Sequence, residues 1–253
     1  MAAALDLDAD LERRFGGLAR LYGAGRYARI RAARVAVVGL GGVGSWTVEA
    51  LARSGVAEIV LIDLDHVAES NVNRQVQATS ATLGMSKVQA LTERVREIHP
   101  GCATPGIEEF VTPQNWPALM PQDVDVLVDA CDQAAAKITL AAWALRERRR
   151  LVCVGAAGGK RQPQAVRVAD LGETSHDPLL ARLRQQLRRE HGAPRTGPIG
   201  VRCVYSTEPV APPAPDCDLG AGDGTLNCHG YGSAVTVTAT FGLVAAAQAI
   251  ELL

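Results

Sequence analysis

Short β-branched runs recur along the chain, each followed by a polar or glycine-rich break and then by a stretch of helical periodicity. Residues 34–38 (RVAVV) form the first run and residues 42–53 the first helix. A second strand is predicted at 58–62, then a loop to Leu83, a helix at 86–98, strands near 104–108 and at 124–128, a helix at 133–148 and a strand at 151–154. Strands alternating with helices of this length need crossover connections. The pattern therefore predicts an α/β fold with a mainly parallel sheet and helices on both faces.

Past Gly155 the pattern changes. Gly158, Gly159 and Pro163 precede a strand at 165–168, and residues 178–190 read as a basic helix. Residues 193–232 are rich in proline and glycine, with a strand at 201–206 and a mobile stretch predicted across 209–224. Residues 234–253 carry one charge, Glu251. Twenty such residues are long enough to span a bilayer. Thr236, Thr238, Thr240 and Gln248 lower the hydrophobicity, however, and no basic flank anchors the segment, so a helix packed in the core or a dimer interface is expected. The expected organisation is a single domain over 1–253, with a nucleotide-binding core at 34–155 and a substrate and interface extension at 156–253.

Composition narrows the setting. With 47% hydrophobic and 21% charged residues in a chain of 253, a disordered protein is excluded. A formal net charge of −1 gives the whole molecule no attraction to phosphate polymers, so any nucleic-acid surface must come from local asymmetry. Cys102, Cys131, Cys153, Cys203, Cys217 and Cys228 form no C-x-x-C pair, which points to a reduced, cytoplasmic setting. The amino-terminal MAAALDLDADLERRF carries acids where an export signal would carry bases.

Gly39, Gly41 and Gly44 spell G-x-G-x-x-G directly after a strand and at the start of a helix, with Asp63 at the end of the next strand. Glycines let backbone turn tightly against phosphate, the helix amino terminus offers unpaired N–H groups, and an acid at that distance can accept from ribose hydroxyls. A Rossmann-type nucleotide site follows, and taken alone the motif suggests NAD. The next segment, IDLDHVAESNVNRQ, shifts the reading to ATP. It gathers Asp65, Ser70, Asn71, Asn73, Arg74 and Gln75 in one polar loop, a set that hydride transfer does not need and a triphosphate does. Lys87 opens the following helix, where a compact ammonium can neutralise charge on the α phosphate. Asp129 and Asp132, in VDACDQ, lie beyond a strand's carboxyl end, where a carboxylate can hold magnesium.

GLGGVGS, LIDLDHVAESNVNRQ, GMSKVQA and VDACD, within residues 34–135, resemble the ubiquitin-activating-enzyme-like adenylyltransferases, which include bacterial activators of sulfur-carrier proteins for molybdopterin and thiamine synthesis. The resemblance implies ATP and magnesium. Gly39, Gly41, Gly42 and Gly44 would form the phosphate turn, Asp63 would bind ribose, and Ser70, Asn71, Arg74 and Lys87 would contact the triphosphate. Asp132 would support magnesium and attack on the α phosphate, and Asp65 and Asn73 complete the cofactor-binding set. Arg74, Lys87 and Asp132 are the catalytic candidates. Two features depart from the sulfur-carrier activators: the paired C-x-x-C motifs of their structural zinc are missing, so no structural zinc is expected, and Gly17 stands where they carry the arginine that enters a partner subunit's site. Arg14 or Arg20 could substitute.

RFGGLARLYG, GGVGSWTVEALARSG, GAAGGK, ADLGETSHDPL, RCVYSTE and CHGYGSAVTVTATFG extend the likeness over nearly the whole chain to one branch of that family, the dehydratases that act on threonylcarbamoyladenosine in tRNA. That branch implies adenylation of the threonyl carboxylate, ring closure by the carbamoyl group and net loss of water, in a homodimer with the site near its interface. No DNA partner is implied, and the later loops are where any monovalent cation would bind. Cationic surface for tRNA would come from Arg146, Arg148, Arg149 and Arg150, from Lys160 and Arg161, and from Arg182, Arg184, Arg188 and Arg189. Cys228, beside His229, and Cys203 read as buried thiols before nucleophiles, and His66, His99 and His176 as structural or surface groups. The alternatives are an adenylyltransferase for a ubiquitin-like sulfur carrier, a nucleotide-binding scaffold for sulfur-transfer proteins and, more distantly, a dehydrogenase.

Overall fold

The computed structural model describes residues 10–212 and 231–253. Seven strands form one sheet: β1 (Arg34–Val38), β2 (Glu58–Ile62), β3 (Gly106–Ile107), β4 (Val126–Asp129), β5 (Leu151–Val154), β6 (Val166–Asp170) and β7 (Arg202–Ser206). Their order is β3-β2-β1-β4-β5-β7-β6, parallel throughout except for the β6–β7 pair. The chain winds outward from β1 through β2 to β3, then returns to the other side of β1 with β4. That reversal leaves a crevice at the carboxyl ends of β1 and β4, the usual ligand position in open α/β sheets.

Alternation along each strand divides the core in two. Val35, Val37, Ile59 and Leu61 face helices α4 (Gly44–Arg53) and α5 (Lys87–Ile98), together with α8 (Val235–Glu251). Ala36, Val38, Val60 and Ile62 face α6 (Ala134–Arg146) and α7 (Pro178–Glu190) on the opposite side. α7 starts where residues 178–190 predict it; Asp177 caps it by accepting from the Leu180 N–H at 3.0 Å, and Pro178 takes the first turn, where no intrahelical donor is missed. The strand near 104–108 shortens to two residues at the sheet edge, where one neighbour alone holds it.

The terminal apolar segment is a core helix. Val237, Phe241, Ala245 and Ala249 of α8 are fully buried. At Gly242 the helix approaches α4 so closely that a Cβ would lie 2.5 Å from the Val43 carbonyl oxygen and 2.7 Å from Trp46 Cβ, and the Thr47 hydroxyl donates to the Gly242 carbonyl at 3.2 Å. The bilayer option for residues 234–253 is thereby corrected: no helix of the described residues is long and apolar enough to cross a membrane. The stretch predicted as mobile at 209–224 falls outside the described residues beyond Pro212, as do Cys217, Cys228 and His229.

Three short helices precede the sheet, α1 (Leu11–Phe15), α2 (Gly17–Tyr22) and α3 (Ala24–Ala32). They dock through Phe15, whose ring lies 4.7 Å from that of His99 and is covered by the Arg31 guanidinium at 4.9 Å. His99 is 1% exposed and receives a hydrogen bond from Arg31 at Nε2, 2.9 Å, while its Nδ1 has no partner among the described residues. Burial first, then the charges of Arg31 and Arg14, pushes its pKa down to about 4. The unfolded chain binds that proton at an ordinary pKa near 6.5, so between the two values the unfolded state holds more protons and stability must fall as pH drops. We expect His99→Gln to remove up to about 1.4 kcal/mol per pH unit of that dependence between pH 6.5 and 4, measured by urea unfolding across the range; equal slopes in both proteins would contradict it.

Candidate active site

The floor of the crevice is the turn after β1. Gly39 adopts φ +85°, and a Cβ there would meet the Cys131 backbone at 2.8 Å. Gly44, the first residue of α4, has no room for a side chain either, since its Cβ would fall 1.7 Å from the Gly39 carbonyl oxygen. These two positions let the β1 turn, the β4 end and the α4 amino terminus converge. Among the described residues nothing lies within 4 Å of a Cβ at Gly41, so the backbone there is open.

Acids and bases ring that turn. Asp63 is 7% exposed; its Oδ2 accepts from the Leu40 N–H at 2.6 Å and its Oδ1 from the Asp65 N–H at 2.8 Å. Each oxygen keeps a second lone pair for another donor. Burial pushes the Asp63 carboxyl above its ordinary range, and Lys87 opposes the shift. Lys87 Nζ sits 2.7 Å from Asp65 Oδ2 and 4.0 Å from Asp63 Oδ2; Ser86 caps α5 beneath it by accepting from the Gln89 N–H. Arg74, 9% exposed, donates from Nη1 to the Ser70 carbonyl at 2.6 Å and to Asn73 Oδ1 at 3.0 Å, while its buried Nε has no partner among the described residues. Trp46 Nε1 donates to the Arg74 carbonyl at 2.9 Å and fixes that backbone.

The two aspartates of VDACDQ have different fates. Asp129 ends β4, is fully buried, and pairs with the equally buried Lys137 of α6 at 2.8 Å. Its Oδ1 accepts from the Cys131 N–H at 3.2 Å and from the thiol at 2.9 Å. Lys137 also donates to the Val154 carbonyl at 2.9 Å, linking the ends of β4 and β5. Burial opposes the Lys137 charge, but Asp129 outweighs it and raises its pKa. Burial likewise holds the Cys131 thiol well above its ordinary value, so it stays a neutral donor. Asp132, three residues on, is exposed in the loop and lines the cleft. Sequence placed both carboxylates beyond the strand end; Asp129 is instead inside the strand and saturated, leaving Asp132 as the accessible one.

A family model, the ThiF family, matches residues 14–253. The chain belongs to the ThiF family. It is 40% identical to the tRNA threonylcarbamoyladenosine dehydratase of Haemophilus influenzae, covering 96% of this chain and 94% of the relative, and 41% identical to that of Escherichia coli, covering 94% and 92%. Its structure matches the E. coli dehydratase TcdA in complex with ATP with a TM-score of 0.86 at 39% identity, covering 96% of this chain and 95% of the other. The TcdA complex with AMP matches with a TM-score of 0.87 at 40% identity and the same coverage.

In this ThiF chain a cavity of about 480 Å³ is lined by Gly39, Gly41, Gly42, Asp63, Asp65, Ser70, Asn71, Arg74, Lys87 and Asp132, ten of the twelve residues nominated from sequence. The other two, Gly44 and Asn73, lie outside it: Gly44 acts through close packing, and Asn73 turns away to donate to the Ser233 carbonyl at 3.0 Å while accepting from Arg74. Sequence reasoning missed His66 as a lining residue, and with it Glu109, Phe110, the 155–158 turn and Thr238. Asp177 holds that turn: besides capping α7, it accepts from the Ala156 N–H at 2.8 Å. Of the arginines considered for a partner's site, Arg14 donates to the Ile98 carbonyl at 2.7 Å, whereas Arg20 is exposed. Lys160, read as cationic surface, is 2% exposed and donates to the Glu208 carbonyl at 2.6 Å and the His176 carbonyl at 3.2 Å, and burial lowers its pKa.

The Asp129–Lys137 pair generates a prediction. Lys137→Met leaves a carboxylate buried with no counter-charge, and unfolding free energy should drop by about 3–5 kcal/mol. Guanidinium titration of both proteins measures this, and a loss under about 1 kcal/mol would show that Asp129 is not held as described.

Proposed function

We infer that the chain catalyses the ATP-dependent dehydration of threonylcarbamoyladenosine in tRNA. The relatives that carry this activity in their names are about 40% identical over nearly the whole chain. The observation that carries the reading in the geometry is Arg74 at the cleft wall: a buried guanidinium whose Nε has no partner among the described residues, beside the turn in which Gly39 and Gly44 leave no room for side chains, in a cleft that Lys87 also lines. Such a group needs an anion, and a nucleoside triphosphate supplies one.

The residues divide the work by chemistry. Asp63 accepts from ribose hydroxyls through its remaining lone pairs, and the backbone of Gly41 and Gly42 together with Ser70 and Asn71 donates to phosphate oxygens. Arg74 offers its fork to the β and γ phosphates, and Lys87, drawn from Asp65, neutralises charge growing on the α phosphate. Asp132, exposed at the cleft, would hold magnesium. Magnesium, when bound, offsets charge on the phosphates. The threonyl carboxylate oxygen bonds to the α phosphorus and pyrophosphate leaves. A carbamoyl atom then bonds to the activated carbonyl carbon, AMP leaves with the former carboxylate oxygen, and the carbamoyl proton passes to solvent. The substrate is its own nucleophile, so no protein nucleophile is required. The extension at 156–253 would supply the substrate side of the cleft through residues 156–158 and Thr238, and in a homodimer Arg20, the exposed one of the two arginines considered, is the candidate to reach the other copy's site.

The first experiment is mass spectrometry of nucleosides after the protein is incubated with threonylcarbamoylated tRNA, ATP and magnesium. An ATP-dependent loss of one water is expected, and it should vanish in Asp132→Ala. Arg74→Ala and Lys87→Ala should each lower turnover by at least about a hundredfold, the scale of losing one transition-state charge contact, in protein that still folds. Wild-type turnover in either would remove that residue from the mechanism. No loss of water from folded, ATP-binding protein would overturn the reading and turn attention to pyrophosphate exchange with Gly-Gly-tailed carriers.

A further inference from the structure

A second concavity lies along the carboxyl half of α7, apart from the ATP cleft. Its volume is about 520 Å³, and it is lined by Ala181, Arg184, Gln185, Arg188, Arg189 and Arg195. Leu179, Leu180, Leu183 and Leu187 bury the opposite face of α7, which fixes which side of the helix turns outward. The i, i+4 spacing stacks Arg184 over Arg188, and the turn after α7 brings Arg195 beside them. Among the described residues, no carboxylate lines the concavity.

What separates this cluster from an ordinary solvated face is how the arginines are held. Arg184 Nη1 donates to the Leu171 carbonyl at 3.1 Å and to the Thr174 carbonyl and hydroxyl at 3.0 and 2.9 Å. Arg188 Nε donates to the Pro194 carbonyl at 2.9 Å. These partners are neutral. They fix two guanidinium groups without cancelling their charge, so the forks are arranged before any ligand arrives and little side-chain entropy remains to be lost. Arg195 has no hydrogen bond or ion pair among the described residues, and Arg189 alone of the four meets a carboxylate, that of its neighbour Glu190. Three uncompensated positive charges thus share one hollow in a chain whose net charge is −1, and an anion with several oxygens relieves that repulsion best.

The same helix touches the ATP cleft at its other end, where Leu179 is a lining residue. Arg188 lies nine residue steps past Leu179, about 14 Å along the helix axis, a span that a few stacked nucleotides cover. We propose that this concavity holds backbone phosphates of the tRNA substrate next to the nucleoside in the cleft, an inference that rests on the dehydratase reading above. α7 would then act as a ruler between the chemistry and the RNA strand. The nominated surface is redrawn accordingly: Arg195 joins it, Lys160 leaves it because it is buried, and Arg182 does not line it.

The test uses the full chain with Arg195→Gln and with Arg188→Gln/Arg195→Gln. Arg195→Gln breaks no internal bond, so it stays informative if the double variant loses stability. For each protein, KM and kcat are measured on threonylcarbamoylated tRNA, KM for ATP is measured, and tRNA binding is followed across a salt series. We expect KM for tRNA to rise about threefold in the single variant and about tenfold in the double, with kcat and KM for ATP unchanged. The slope of log affinity against log salt should fall by about one unit per arginine removed. If wild-type protein dehydrates the tRNA and both variants match it in KM and salt slope, the phosphate site is overturned while the dehydratase reading stands; an acidic protein partner for this hollow would give that result. If wild-type protein binds ATP but does not dehydrate the tRNA, both fall.

Discussion

Everything at the cleft hangs on a charge pair that never meets water. Asp129 and Lys137 are both fully buried, and their contact draws together the end of β4, the end of β5 and the first turn of α6. Two ions in the interior are tolerated only where each finds a partner and further hydrogen bonds. Here the Cys131 backbone and the Val154 carbonyl supply them. The loop leaving β4 is thereby fixed against Gly39, and Asp132 emerges from a rigid base.

Around that anchor the site is assembled by exclusion of side chains as much as by their presence. Gly39 and Gly44 admit backbone where a methyl group would collide, and Gly42 leaves 3.2 Å between a would-be Cβ and the Arg74 side chain. Arg74 is then held from three directions, by Ser70, Asn73 and the Trp46 contact to its carbonyl, which limits where its remaining donors point. The result is a cationic wall prepared in advance, which costs no reorganisation when charge develops.

Much of this was legible in the chain because its signals are local. The strand, glycine turn and helix at 34–53 carry their own periodicity and punctuation, and the polar loop after β2 declared itself by density of hydrogen-bonding groups. What stayed hidden depends on partners distant in sequence. Asp129 and Asp132 read alike in a string of letters; only the register of β4 against β1 and β5 sends one into the core. Lys160 reads as surface charge, and only the approach of Ser206 and Glu208 across the fold shows it capping carbonyls. The helices before β1 have no strong periodicity and exist because Phe15, Arg31 and His99 pack together over 84 residues of sequence separation. Thr238 could not be placed in the cleft until α8 was seen to lie against α4.

That last contact bears on how the molecule is made. α8 follows all the other described elements in sequence, yet Gly242 seats it against α4, and Thr238 lines the cleft. Ser233, just ahead of it, accepts the hydrogen bond that turns Asn73 aside. A ribosome that has delivered the whole sheet has still not delivered a finished site. The cleft closes on itself only when α8 clears the exit tunnel, so a chain stalled or clipped before residue 233 would lack one wall and leave the face of α4 that Gly242 covers bare.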